Sequence, residues 1–317
     1  MAERVRIARY FAPLSANEVG SFDLTDDAAA LTPPVGKQLV ITTDSVIETI
    51  HVLGGATPEQ FAQKLMRRNL SDLAAMGATP WRYTLNLNTP TALDDAWFAE
   101  FSAALAREQS EFGLVLIGGD STSGATHIHT TMTCIGLVDA APLRRNGARV
   151  GDDIYISGSI GGAAYALHLL QQKYAVTTTL AARYHCPEPR LALGAALRGI
   201  ATSCIDISDG LLADMGQLAV ASKIGATLHR HALPLDEELA IATTKDETAW
   251  RFALSGGDDY ELLFTAPQHQ RSTIESLATQ LELPLTMVGE MIATQGVTLR
   301  DERGAPLAIG HGGWEHA

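Results

Sequence analysis

At 317 residues, with 46% hydrophobic and 19% charged side chains, the chain is long enough for two domains of ordinary size and is not a disordered composition. Lys and Arg total 23 against 36 Asp and Glu, a formal net charge of −13. A nucleic-acid binder needs a positive footprint, so this balance argues against one. Cys134, Cys186 and Cys204 have neither CxxC spacing nor a nearby His pair, which disfavours a disulfide framework and a zinc site alike. The N-terminal MAERVRIARYF lacks the apolar run of a signal peptide, and no stretch reaches membrane-spanning length, so a cytoplasmic protein is expected.

In chain order, residues 38–43 (QLVITT) predict a strand ending at Asp44. Thr57, Pro58 and Gln60 form a helix start with a capping box, and Phe61, Leu65 and Leu73 carry an apolar stripe that Gly77 stops. A second helix follows Asp94–Asp95, with Trp97, Phe101 and Leu105 on one face, and ends near Gly113. Residues 114–117 (LVLI) predict a buried strand running into Gly118-Gly119-Asp120, and 128–138 a long β-branched strand. The polar, turn-rich segment 140–153 marks a boundary between domains 1–140 and 141–317. Beyond it a strand is expected at 154–157, helices at 161–172 and 187–199, and a strand at 203–207. A helix from Leu211, a strand at 260–265, a helix at 267–280 and a strand at 285–290 complete the pattern. The fold class is α/β, mixed in both halves.

Short apolar strands that deliver an aspartate recur at LVITTD (39–44), LVLIGGD (114–120) and CIDISD (204–209), and Asp26, Asp27 and Asp72 add further carboxylates. Mg²⁺ binds through one or two carboxylates together with water and substrate phosphate, so carboxylates spread over several strand ends suit a phosphate-bridging metal cluster. An aspartate after a strand is equally a turn residue or helix cap, and Asp209 is open to reading as the cap of the helix after it. Asp72 lies inside a predicted helix, where Asp has poor propensity and no capping role, which favours function. No P-loop, GxGxxG after a strand, HExxH or kinase HRD and DFG signature is present.

The motifs DDAAAL (26–31), ITTDSVIETIH (41–51), NLSDLAAMGATP (69–80), LIGGDST (116–122), SGSIGG (157–162), DISDGLLAD (206–214) and SGGDDYELLFT (255–265) occur in one order. Together they resemble the thiamine-monophosphate kinase family, within the aminoimidazole-ribonucleotide-synthetase-like superfamily of ATP-binding proteins. The likeness runs from Ile7 to Trp314. It implies a two-domain fold whose N-terminal domain binds ATP and metal and pairs with its twin in a homodimer, while the C-terminal domain completes the substrate site. It implies a metal set of Asp27, Thr42, Thr43, Asp44, Asp72, Asp120, Asp206 and Asp209, holding several Mg²⁺ ions. Gly119, Asp120, Arg145, Ser208 and Phe112 would meet ATP; His51, Asp258 and Trp314 would meet thiamine monophosphate. Asp44, Asp72, Asp120 and Arg145 would carry catalysis.

Two departures stand out: Thr25 occupies a place where the family often has Gly, and Asp258 one where many members have Glu. The implied reaction is direct in-line transfer from ATP to thiamine monophosphate, giving ADP and thiamine diphosphate. The alternatives are another ATP-using superfamily member, such as a purine cyclo-ligase, and a non-catalytic Mg²⁺- or nucleotide-binding regulator. A selenide-using kinase is disfavoured because the first cysteine is Cys134, and a hydrogenase-maturation relative because the chain ends GGWEHA without a terminal Cys.

Overall fold

The structure is a computed structural model that describes residues 3–16 and 18–307. The chain forms two compact units, one of residues 1–73 with 78–141, the other of 74–77 with 142–317. The expected Trp314 contact lies outside the described residues.

The first unit opens with a short helix α1 (Glu3–Arg6) and irregular helical turns up to Leu24. Its sheet has the order β1-β4-β2-β3, formed by β1 (Gln38–Ile47), β2 (Thr79–Thr89), β3 (Val115–Ser123) and β4 (His129–Val138). Strand β4 is antiparallel to both neighbours, and β2 and β3 are parallel, joined through a helix. Residues of β4 alternate between buried and half-buried, so one face carries Met132 and Cys134 to the core and the other turns outward.

The core face is covered by α2 (Pro58–Ala75) and α3 (Asp95–Phe112). The capping box forms as the residues predict: Thr57 N–H donates to Gln60 Oε1 at 3.0 Å, and Gln60 N–H to Thr57 Oγ1 at 3.2 Å. Asp94 Oδ1 accepts the Trp97 N–H at 3.0 Å to start α3, and Gly113, at φ +71°, ends it. Trp97 stacks on Phe101 at 4.8 Å, which locks the apolar stripe.

Two expected strand ends are corrected. Strand β1 runs past Asp44 to Ile47, because β4 supplies partners as far as His129; β3 runs past the Gly118-Gly119 pair to Ser123, because β2 supplies partners as far as Thr89. Strand β2 has no counterpart among the predicted elements, although Tyr83, Leu85, Leu87 and Thr89 alternate inward in period 2.

The second unit has six strands in the order β10-β7-β9-β5-β8-β6. They are β5 (Asp153–Ser157), β6 (Ser203–Asp206), β7 (Gly225–His229), β8 (Leu262–Ala266), β9 (Leu285–Ile292) and β10 (Gly296–Arg300). The sheet is buried on both faces, since Ile154, Ile156 and Leu263 enter one apolar cluster while Tyr155, Leu262 and Phe264 enter another. The helices are α4 (Gly162–Gln171), α5 (Thr178–His185), α6 (Leu191–Leu197), α7 (Leu211–Ser222), α8 (Glu237–Thr243), α9 (Trp250–Ser255) and α10 (Arg271–Gln280). Helix α6 starts later than expected because Pro187 and Pro189 keep the residues before them out of helical geometry. Strand β8 likewise starts at Leu262, because Asp258 (φ +68°) and Tyr260 (φ +54°) are left-handed.

Candidate functional site

The site residues expected in the first unit fall into two places. On the α2 side of β1, Thr42 Oγ1 donates to Asp72 Oδ2, and Asp44 accepts from Arg68 Nε and Nη2 at 3.4 Å each. Arg68 and Asp72 are one helical turn apart on α2, so both reach the same edge strand. Asp72 therefore has a structural partner from mid-helix, which explains why a poor helix former is tolerated there. The nearby Cys134 thiol is pushed well up, first by burial and then by the charges of Asp72 and Asp44, so it is an inert core thiol. Thr43 points to the opposite face, where its hydroxyl donates to Met132 O at 3.2 Å and accepts from Thr133. His51 Nδ1 accepts the Ile47 N–H at 3.0 Å and closes the turn after β1.

The second place is a cavity of about 300 Å³ beside β3. Phe11, Leu24, Leu85 and Leu116 give it apolar walls, and Asp26, Asp27 and Asp120 bring carboxylates to it, beside Gly118 and Gly119. Gly119 is required at its position: a Cβ there would collide with the Leu85 carbonyl of the paired strand. Gly119 thus marks a close strand approach, whereas a Cβ at Gly118 would meet open space. Asp120 shares a sheet row with Asn86, Thr131 and Ser45, whereas Asp44 shares the next row with Met132 and Leu85. Asp44 and Asp120 consequently lie on opposite edge strands and opposite faces, though the sequence presents them as equivalent strand-end aspartates. Phe112 does not line this cavity; its ring sits 5.0 Å from the Arg67 guanidinium, which Glu108 and Glu111 also hold.

In the second unit Asp206 closes β6, and the turn after it carries Ser208 and Asp209. Asp258 approaches the same turn, its N–H donating to Ser208 O at 2.8 Å. Gly257 permits this, because a Cβ there would collide with the Ser208 carbonyl. Asp209 does not cap α7: the N-cap is Gly210, and Asp214 Oδ2 accepts the N–H groups of Ser208, Asp209 and Gly210 at 3.1 Å each. Burial, followed by the Asp209 charge, raises the Asp214 carboxyl to about 7 against these three donors. Arg145 donates to Gln217 at 2.6 Å.

Sequence reasoning passed over Asp214, Asp259 and Glu261. Asp259 accepts the Gly161 N–H at 2.8 Å at the start of α4, and burial holds its carboxyl well above the ordinary range. Glu261 accepts Ser157 Oγ at 2.5 Å and is gripped by Arg190 through both oxygens. The signal was present as acidic residues inside the SGGDDYELLFT and DISDGLLAD motifs, next to those singled out. Among the described residues, no three His, Cys, Asp or Glu come together as a cage for a metal ion, and no helix is long and apolar enough to cross a membrane.

Residues 25–138 match the family described as AIR synthase related protein, N-terminal domain, and residues 149–302 match its C-terminal domain. The thiamine-monophosphate kinase of Escherichia coli K12 is 38% identical over 319 residues, covering 98% of this chain and 96% of that protein. The thiamine-monophosphate kinase of Stenotrophomonas maltophilia, a crystal structure, superposes with a TM-score of 0.81 at 39% identity, over 87% of this chain and 89% of that one. The structure of AaThiL complexed with AMPPCP and TMP superposes with a TM-score of 0.79 at 28% identity, over 95% of this chain and 98% of that one. With both family domains matched in order and relatives aligned along almost the whole length, the chain belongs to the AIR synthase related protein family and, within it, to the thiamine-monophosphate kinase family.

Proposed function

We propose that this protein transfers the terminal phosphate of ATP to thiamine monophosphate, producing ADP and thiamine diphosphate in the cytoplasm. The observation that carries the reading is the likeness over 95% of this chain to AaThiL, a protein complexed with AMPPCP and TMP. The cavity beside β3 supports it, since its apolar walls suit a nucleobase and its carboxylates suit a phosphate-bound cation.

Asp27 with Asp120, and Asp44 with Asp72, offer hard oxygen donors. Mg²⁺ takes one or two carboxylates and fills its remaining positions with water and phosphate oxygens, so these donors fit it without forming a protein-only cage. Bound there, Mg²⁺ would supply neutralisation of the charge on the two facing phosphate chains. In the second unit, Asp206 and Asp209 are assigned to metal, and Ser208 and Arg145 to ATP, Arg145 as a cation for phosphate oxygens. Phe112 is the expected nucleotide residue with least support, given its place under Arg67. His51 and Asp258 are assigned to thiamine monophosphate.

The acceptor phosphate has a second pKa near 6, so at pH 7 it is largely a dianion and already a nucleophile. No general base is needed, and the work of these residues is to hold the two phosphates in line. The N-terminal unit pairs with its twin. Support comes from Leu39 and Ile41, 43% and 62% exposed on the outward face of β1.

The test is ADP release from ATP with and without thiamine monophosphate, each with Mg²⁺ and with chelator. We expect release to require both, and Asp120→Asn to lower the rate by about a hundredfold. Release indifferent to thiamine monophosphate overturns the substrate. Equal rates in chelator overturn the metal.

A further inference from the structure

Helix α7 starts without a capping side chain, since its N-cap is Gly210, held at φ +117°. The first amides of a helix and the turn before it need acceptors, and buried ones left unpaired are costly. Asp214, one turn inside the helix and 1% exposed, meets this need with a single oxygen that collects three consecutive N–H groups, those of Ser208, Asp209 and Gly210. The opposite edge of the same turn is also held: Ser208 O accepts the Asp258 N–H at 2.8 Å, and Ile207 O accepts the Tyr260 N–H at 2.8 Å. Ser208 is therefore pinned at its nitrogen by Asp214 and at its carbonyl oxygen by the loop carrying Asp258. Asp258 and Tyr260 are left-handed, a conformation that non-glycine residues keep only when their surroundings impose it. A turn free to rotate about Ser208 would release both sides.

We propose that Asp214 is a positioning residue for this site: by gathering the amides of 208–210 it fixes where Ser208 and Asp209 point and, through the Ser208 carbonyl, where Asp258 stands. Its part in turnover rests on the kinase reading above. Asp214 itself meets no substrate. Its oxygen is spent on backbone donors, so its removal acts on geometry, and small misplacements of reacting groups cost large factors in rate.

The experiment compares wild type with Asp214→Asn and Asp214→Ala. The amide keeps one oxygen able to accept; the alanine leaves three donors without their acceptor. At saturating substrates we expect kcat to fall by about a hundredfold in Asp214→Ala, with Asp214→Asn recovering at least about tenfold of that loss. Amide hydrogen exchange at 208–210 should quicken by about tenfold or more in Asp214→Ala while exchange in β8 stays as in wild type. Two folded variants with kcat and both KM values within about twofold of wild type overturn the proposal. So does unchanged exchange at 208–210, or a rate loss that Asn fails to recover. Wild-type protein that makes no thiamine diphosphate sinks the kinase reading alone, and the exchange comparison still decides whether Asp214 holds the turn.

Discussion

Asp259 is enclosed at the start of α4, accepting the Gly161 N–H at 2.8 Å, with Glu261 and Asp258 adding charge nearby. Burial is the largest influence and raises its carboxyl well above the ordinary value. The folded protein thus keeps a proton that the unfolded chain releases at about pH 4. Between that pH and the raised folded value the native state binds more protons, so this residue makes stability fall as pH rises. Asp259→Asn removes the effect while preserving shape. Melting temperatures of wild type and variant from pH 5 to 8 should show a shallower decline for the variant; parallel profiles would mean that Asp259 is not the titrating group. At this scale the legible residues were those with one local role, such as Asp94, which starts α3. Asp214 and Asp259 were not legible, because an acceptor for distant backbone amides has no local sequence signature.

Among elements, α2 shows how local rules suffice where contacts are local. Its capping box joins residues three apart, Thr57 and Gln60, and forms as the pattern predicts. Thr57→Ala should cost about 1 kcal/mol of stability, a melting shift of about 3 °C, and Thr57→Ser should restore most of it. An unchanged melting temperature in Thr57→Ala would show that the packing of α2 carries its start without the cap. Strand lengths obeyed a different logic. Polar residues in β1 and β3 suggested ends at Asp44 and before Gly118, but a strand continues as long as a neighbour accepts its hydrogen bonds. Strand β2 went unrecognised for a related reason: Pro80, Asn86 and Asn88 masked a clean inward alternation.

For the whole molecule, the outward face of the first sheet makes a prediction. Ile41 is 62% exposed and Leu39 43% on an edge strand, an apolar exposure expected to be covered by another surface. Sedimentation should give twice the mass of the chain, 33.8 kDa, and Ile41→Glu should shift the population toward monomer. A wild type that sediments as a monomer at micromolar concentration would overturn the pairing.

The sequence by itself determined the mixed α/β class, the starts and stops of α2 and α3, the acidic character and, through its ordered motifs, the family. Those properties rest on residues near one another in the chain or on patterns that survive without coordinates. Only the tertiary structure decided that Asp44 and Asp120 occupy opposite faces, that Asp209 does not cap α7, and that Asp258 meets Ser208. The reason is physical: the face on which a strand residue lies is set by its register with neighbouring strands, and a buried carboxylate acts through whichever amides the fold brings to it.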